Sequence, residues 1–166
     1  MTVGNFMIQN LSTDFFWYLI TIDDCRRMLN GESIYEMLKL IQDIEQIKFV
    51  VLDDIEGAGK YGLIASLQDN IDKIYEIKSI LEKSKEIIQL DWGDFFLFKE
   101  YPNSWINLRE GDYPYVIAQA DTTLRAIDDQ YMYIYTQSKH LVESIKSQYE
   151  IESIKFDLLE NLDFPY

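Results

Sequence analysis

Apolar residues in this chain recur with two different spacings, and the change from one to the other constrains the fold more than any single motif. Dense aromatic and β-branched runs at residues 15–22 and 47–52 are typical of strands. Between them, apolar residues recur every three or four positions, which predicts a helix with one buried face. That face consists of Ile34, Met37, Leu38, Ile41 and Ile44. The capping-box spacing of Ser33 and Glu36 predicts the helix start.

The same patterns predict the remaining elements. Two further helices are expected, over residues 69–88 and 138–149. Four further strands are expected, over residues 95–98, 115–127, 131–135 and 151–158. Short turn-forming segments separate the first three of these strands, which predicts an antiparallel order. We therefore predict an α+β fold in which an antiparallel β-meander packs against about three to four helices.

The composition indicates a single folded domain. The chain has 166 residues, of which 48% are hydrophobic and 14% aromatic, so it can bury a sizeable core. No Pro-rich, Gly-rich or Ser-rich stretch marks a linker. We expect one α+β domain over residues 1–166.

The net charge restricts the class of partner. With 29 acids against 15 bases, the chain carries a formal charge of −14. Binding to nucleic acid or to an anionic membrane surface requires Lys and Arg to neutralise phosphates, so we expect neither partner. An acidic surface instead accelerates the encounter with a basic protein.

Cys25 and the first twenty residues indicate the cellular compartment. A single cysteine excludes an intramolecular disulfide and the multi-cysteine zinc patterns. The first twenty residues lack the basic and small-residue features of a signal peptide, and no apolar run approaches the length of about 20 residues that spans a bilayer. We expect a cytoplasmic protein.

A glycine motif at residues 57–62 matches the dinucleotide-binding pattern G-x-G-x-x-G. Asp53, Asp54 and Glu56 stand directly before it, and their charges would repel a pyrophosphate. We therefore expect a flexible turn and no cofactor. The spacing of a calcium loop is also missing. An irregular Mg²⁺ site built from the carboxylates of residues 53–62 stays an alternative.

Other candidates for chemistry are weak. His140 is the only histidine, so one copy of the chain holds neither a Ser-His-Asp triad nor a two-histidine metal site. Its position opposite the apolar face of its helix predicts an exposed side chain. Cys25 has no base nearby in the sequence to activate its thiol. We assign no catalytic, cofactor-binding or metal-binding residue.

The polar side of the strand predicted over residues 115–127, with the tyrosines that follow it, is the candidate partner surface. A two-residue turn would pair residue 124 with residue 133 and place the tyrosines in the core, whereas a one-residue slip would place them beside Arg125 on an open face. Mixtures of Tyr and Arg are typical of interface hot spots. The predicted partner-binding residues are Gln119, Asp121, Thr123, Arg125, Tyr131, Tyr133 and Tyr135.

Together these features favour a non-enzymatic, acidic protein-binding domain. The leading hypothesis is a stoichiometric inhibitor of a basic protein, of the immunity or antitoxin type. Three alternatives stay open: a small metal-dependent enzyme using carboxylates near residues 53–62, a nucleic-acid mimic, and a subunit that assembles with copies of itself. The sequence fixes neither the partner nor the oligomeric state.

Overall fold

The computed structural model describes residues 15–23, 28–107 and 112–165. Within these ranges, seven strands and five α-helices are followed by a final 3-10 turn, Leu159–Asn161. The strands are β1 Phe16–Asp23, β2 Phe49–Gly59, β3 Ile74–Glu76, β4 Ile87–Phe98, β5 Thr122–Ile127, β6 Tyr131–Thr136 and β7 Ser153–Leu158. The helices are α1 Gly31–Glu45, α2 Leu63–Asp69, α3 Ile77–Ser84, α4 Tyr113–Ala118 and α5 Lys139–Gln148. The predicted α+β class is confirmed.

All seven strands join one antiparallel sheet in the order β3-β2-β4-β5-β6-β1-β7. The predicted meander is present as β4-β5-β6, but it forms only the middle of this sheet. The first strand, β1, pairs with β6 on one side and with the last strand, β7, on the other. The sheet is therefore larger than the sequence predicts.

The sheet is covered on both faces. Helices α1, α3 and α5 pack on one face, which we call the helical face, where alternate strand residues such as Val50, Leu52 and Leu124 are buried. The intervening residues, such as Val51 and Phe96, point to the opposite face. That second face is covered by α4 and by the chain after β7. Each central strand therefore carries buried residues on both faces of the sheet.

Helix α1 forms where the sequence predicts it, but it starts earlier. The Asn30 side chain accepts a hydrogen bond from the Ser33 backbone N–H at 3.0 Å and is the N-cap. Ser33 lies inside the first turn, so the predicted capping box was wrong. The helix ends at Gln46, whose φ of 55° is left-handed. The predicted apolar face is buried from Ile34 to Ile41.

The helix predicted over residues 69–88 was wrong. In its place the chain ends α2, forms the short strand β3, continues as α3 and enters β4. Asp72 adopts a left-handed φ of 69°, which interrupts any helix there. Pairing of β3 with Phe49, Val50 and Val51 of β2 outweighs the helical spacing of the isoleucines.

The strand predicted over residues 115–127 is also shorter than expected. Residues 113–118 form α4, with a proline in its first turn, and only residues 122–127 form β5. Strand β6, helix α5 and strand β7 agree with the prediction. Ser138 caps α5 by accepting from the Leu141 backbone N–H at 3.0 Å. None of the helices within the described ranges has both the length and the apolar character needed to cross a bilayer.

Candidate functional site

A row of polar side chains crosses the second face of the sheet. The strand register places Asp53 of β2 opposite Asp94 of β4, Asp94 opposite Arg125 of β5, and Arg125 opposite Tyr133 of β6. Directly opposite residues point to the same face, so these side chains are neighbours. Residues on either side of this row include Phe96 and Tyr135 of the second apolar core. The polar row thus lies in a largely dehydrated environment.

Asp94 and Arg125 form a buried ion pair at the centre of this row. Arg125 Nε donates to Asp94 Oδ1 at 2.8 Å, and the two residues are 1% and 2% exposed, respectively. The Arg125 guanidinium carbon lies 4.5 Å from the centre of the Tyr113 ring. Asp94 Oδ2 and Arg125 Nη1 are buried without a hydrogen-bond partner. The pair is therefore only partly satisfied.

Burial governs the protonation of this pair. Desolvation is the largest influence on Asp94 and, with smaller contributions from the charges of Asp54 and Asp53, raises its pKa to about 6 although Arg125 lowers it. Burial alone would lower the pKa of Arg125, but the charge and hydrogen bond of Asp94 outweigh it and the net direction is upward. Arg125 therefore stays charged, and both partners of the pair lose their hydration on burial.

An acidic pocket of about 120 Å³ lies beside the ion pair. Asp53 and Asp54 reach it from β2, where a register irregularity between Asp53 and Glu56 and the left-handed φ of Asp54, 50°, bring two consecutive carboxylates to its wall. Its remaining lining residues are Ile71, Phe96, Asn107, Tyr113 and Val116. The pocket thus combines carboxylates with aromatic and aliphatic walls.

Hydrogen bonds connect the walls of the pocket. The Tyr113 hydroxyl donates to Asp54 Oδ2 at 3.2 Å. Asn107 Nδ2 donates to Asp53 Oδ2 at 3.1 Å and to Asp72 Oδ1 at 2.8 Å, and Trp105 Nε1 lies 3.3 Å from the same Asp72 oxygen. Burial raises the pKa of Tyr113 far above its ordinary value, so its hydroxyl remains a donor. These contacts hold residues 105–107 and the first residue of α4 against β2 and the turn before β3.

The pocket suits a cationic ligand with an apolar stem. Carboxylate oxygens accept hydrogen bonds from ammonium or guanidinium groups, and they oppose phosphate. Phe96 and Val116 offer apolar contact beside them. Across the described residues, no three His, Cys, Asp or Glu side chains are grouped so as to hold a metal ion.

The glycines of the motif at residues 57–62 lie in β2 and at the start of α2. A turn is present only at residues 61–62, at the end of the motif, because Gly57 and Gly59 lie within β2, opposite Leu90 and Ile87 of β4. A Cβ atom on Gly57 would lie 2.2 Å from the backbone oxygen of Gln89, so the close approach of the two strands requires glycine. Gly62 is the left-handed N-cap of α2, with a φ of 67°.

The structure places the seven predicted partner-binding residues in different environments. Residue 124 pairs with Ile134, not with residue 133, because three residues form the turn between β5 and β6. The tyrosines therefore share a face with Arg125, but α4 and the C-terminal segment cover that face. Three of the seven are buried, three are half-buried and Asp121 is exposed. The buried three are Thr123, Arg125 and Tyr135; the half-buried three are Gln119, Tyr131 and Tyr133.

Several of these residues have structural contacts of their own. Gln119 exchanges two hydrogen bonds with the backbone of Ile106, at 2.7 and 2.9 Å. Asp121 accepts from the Lys99 backbone N–H at 2.7 Å. The Tyr135 hydroxyl donates to the backbone oxygen of Asp163. Their part in binding a partner stays a prediction.

Sequence reasoning missed Asn107 and Tyr113, which line the pocket, and Asp72, which accepts a hydrogen bond from Asn107. No local pattern marks them, since they lie 19 or more residues from Asp53 in the sequence. The exposed position predicted for His140 is confirmed. Cys25 lies outside the described residues. Comparison of the chain with known protein families, with curated proteins and with solved structures finds no match.

Proposed function

We propose that this chain is a non-catalytic binding domain for a basic protein and inhibits that partner in one-to-one ratio, as immunity proteins and antitoxins do. The acidic pocket carries this proposal, because it joins carboxylate acceptors to apolar walls in a space of about 120 Å³. A Lys or Arg side chain has the matching composition: its charged end donates hydrogen bonds and its methylene stem is apolar.

Asp54 is the group that a partner side chain would meet first. It is exposed, whereas Asp53 behind it is 8% exposed. A cationic side chain entering the pocket would form a charge-assisted hydrogen bond with Asp54, while Phe96 and Val116 contact its stem. Its charge would then also face Asp53, the second carboxylate that lines the pocket.

The charge of the whole chain supports the same partner class. A net charge of −14 attracts a basic protein over a distance of about 10 Å at moderate salt, and so raises the association rate. Inhibition would follow if the acidic pocket receives a Lys or Arg that lines the partner's cationic active site. Binding of this kind needs no reaction at the acidic chain itself.

The test is a pull-down from source-organism lysate at low and high salt, followed by titration calorimetry with the retained protein. The bait is the wild-type chain, Asp54→Asn or Asp43→Asn. The last variant is a matched control: it removes the same charge from the solvent-exposed side of α1. We expect a basic protein bound in one-to-one ratio, less of it at high salt, and affinity about tenfold lower for Asp54→Asn than for wild type or control.

Two results would contradict the proposal. Equal losses of affinity in Asp54→Asn and Asp43→Asn would show that only the overall charge matters and that the pocket is not used. Retention of no basic protein at either salt concentration would remove the proposed partner class altogether.

A further inference from the structure

The two edges of the sheet differ in how they are protected from pairing with another chain. At one edge, β3 has only three residues. At the other edge, β7 has six residues and contains neither proline nor a register irregularity against β1. In the part of the chain that the structure describes, β7 pairs on one side only. Its other side presents backbone N–H and C=O groups that can pair with a further strand.

An apolar strip follows this edge on the helical face. Phe156 is 57% exposed, and its ring stacks on Phe16 at 5.1 Å and contacts Tyr18 at 4.5 Å. Phe16 is itself exposed, as is Ile154 two residues before Phe156. An edge that is unpaired among the described residues and that carries exposed aromatic side chains is well suited to adding a strand.

We propose that a second copy of this chain occupies the edge, with the two β7 strands antiparallel about a two-fold axis at Phe156. This register places Phe156 opposite Phe156 and Ile154 opposite Leu158 of the other copy, on the helical face. On the second face it places Lys155 opposite Asp157, twice by symmetry. Each charged pair is attractive, and the apolar residues meet each other, so the sequence of β7 is complementary to itself in this register.

The charges of β7 can take part in this pairing. Lys155 contacts the Asp163 carboxylate within one copy, but both side chains are more than half exposed, so the interaction is weak and can be exchanged. The net charge of −14 on each copy opposes association at long range, and salt screens that repulsion. We therefore expect the dimer to tighten as salt is added, whereas binding of a basic protein weakens.

This dimer does not rest on the proposed function. The acidic pocket lies at β2, five positions along the sheet from β7, so both pockets of a dimer stay open. If the dimer is not found, the proposed binding of a basic protein is unaffected, and the reverse also holds.

The experiment is sedimentation velocity of the full chain over a concentration series. We expect wild type to move from the monomer mass to twice that mass. Lys155→Glu and Asp157→Lys each place like charges opposite one another, so we expect the dissociation constant of each variant alone to rise about tenfold or more. In an equimolar mixture of the two variants, opposite charges face each other again, and we expect the dimer to return. Lys39→Glu, on the exposed side of α1, is the control and should dimerise like wild type.

Return of the dimer in the mixture also shows that both variants are folded. Wild type that stays monomeric at the highest concentration overturns the proposal. Slow hydrogen exchange of the β7 backbone in such a monomer would show that residues of the same chain protect this edge. A wild-type dimer that neither single variant weakens, or one that the mixture does not restore, places the interface elsewhere and also overturns it.

Discussion

Replacing Arg125 by methionine tests the central feature of the second face, the buried ion pair with Asp94. Methionine keeps much of the apolar volume of the arginine stem but removes the charge that partly compensates the carboxylate. Asp94 is 2% exposed and Asp94 Oδ2 has no hydrogen-bond partner. The variant therefore leaves a carboxylate in the core without its cation, a change that typically costs about 3–5 kcal/mol.

The pH dependence can be worked out from the pKa of Asp94. Burial raises this pKa in the folded protein from the ordinary value of 3.8 to about 6. A raised pKa of an acid means that the folded state binds the proton more tightly than the unfolded state, so stability falls as pH rises from about 4 to about 6. At about 1.36 kcal/mol per pH unit, the total loss in wild type is about 3 kcal/mol, and Asp94 adds no further loss above pH 6.

Without Arg125, the pKa of Asp94 should rise further, because the charge and the hydrogen bond that lower it are gone. The fall in stability then continues above pH 6. We expect the free-energy difference between wild type and Arg125→Met to grow by about 1.4 kcal/mol for each pH unit above 6, until the new pKa is reached. At about pH 5, where Asp94 is mostly protonated in both proteins, the difference should be at its smallest.

Urea unfolding at about pH 5 and about pH 8 measures both differences. The control is the double variant Asp94→Asn/Arg125→Met, which has no ionisable group at either position. The difference in free energy of unfolding between wild type and this double variant should not grow above pH 6. If the difference between wild type and Arg125→Met is the same at both pH values, Asp94 is not the ionised partner and the reasoning is wrong.

Two further comparisons of variants test backbone features of the fold. Gly57→Ala should lower the free energy of unfolding by at least about 2 kcal/mol, because its Cβ would overlap the backbone oxygen of Gln89, whereas Gly62→Ala, with open space around it, should cost about 1 kcal/mol of left-handed strain. Equal losses in urea unfolding would refute the close-approach explanation. Asn30→Ala removes the side-chain acceptor for the Ser33 N–H and should cost about 1 kcal/mol, while Asn30→Ser retains an acceptor and should recover most of it; no recovery would argue against the capping role.

The acidic site was only partly predictable from the sequence. Asp53 and Asp54 attract attention because they are adjacent acids at a strand end. Asp72, Asn107 and Tyr113 join them only through the pairing of β2 with β3 and the positions of residues 105–107 and α4. Contacts between residues so far apart in sequence depend on the complete fold, and no local pattern encodes them.

The sequence by itself determined those helices and strands in which the spacing of apolar residues is that of a single helix or strand. These are β1, α1, β6, α5 and β7, which all form close to where the spacing predicts them. Spacing failed over residues 69–88, where a left-handed residue and pairing at the sheet edge interrupt a helical pattern. Only the tertiary structure decided which parts of the chain cover the two alternating sets of side chains on β5 and β6. A spacing of two separates two sets of side chains but does not say what covers each set. Here α1, α3 and α5 bury one set, while α4 and the C-terminal turn bury Arg125 with the other.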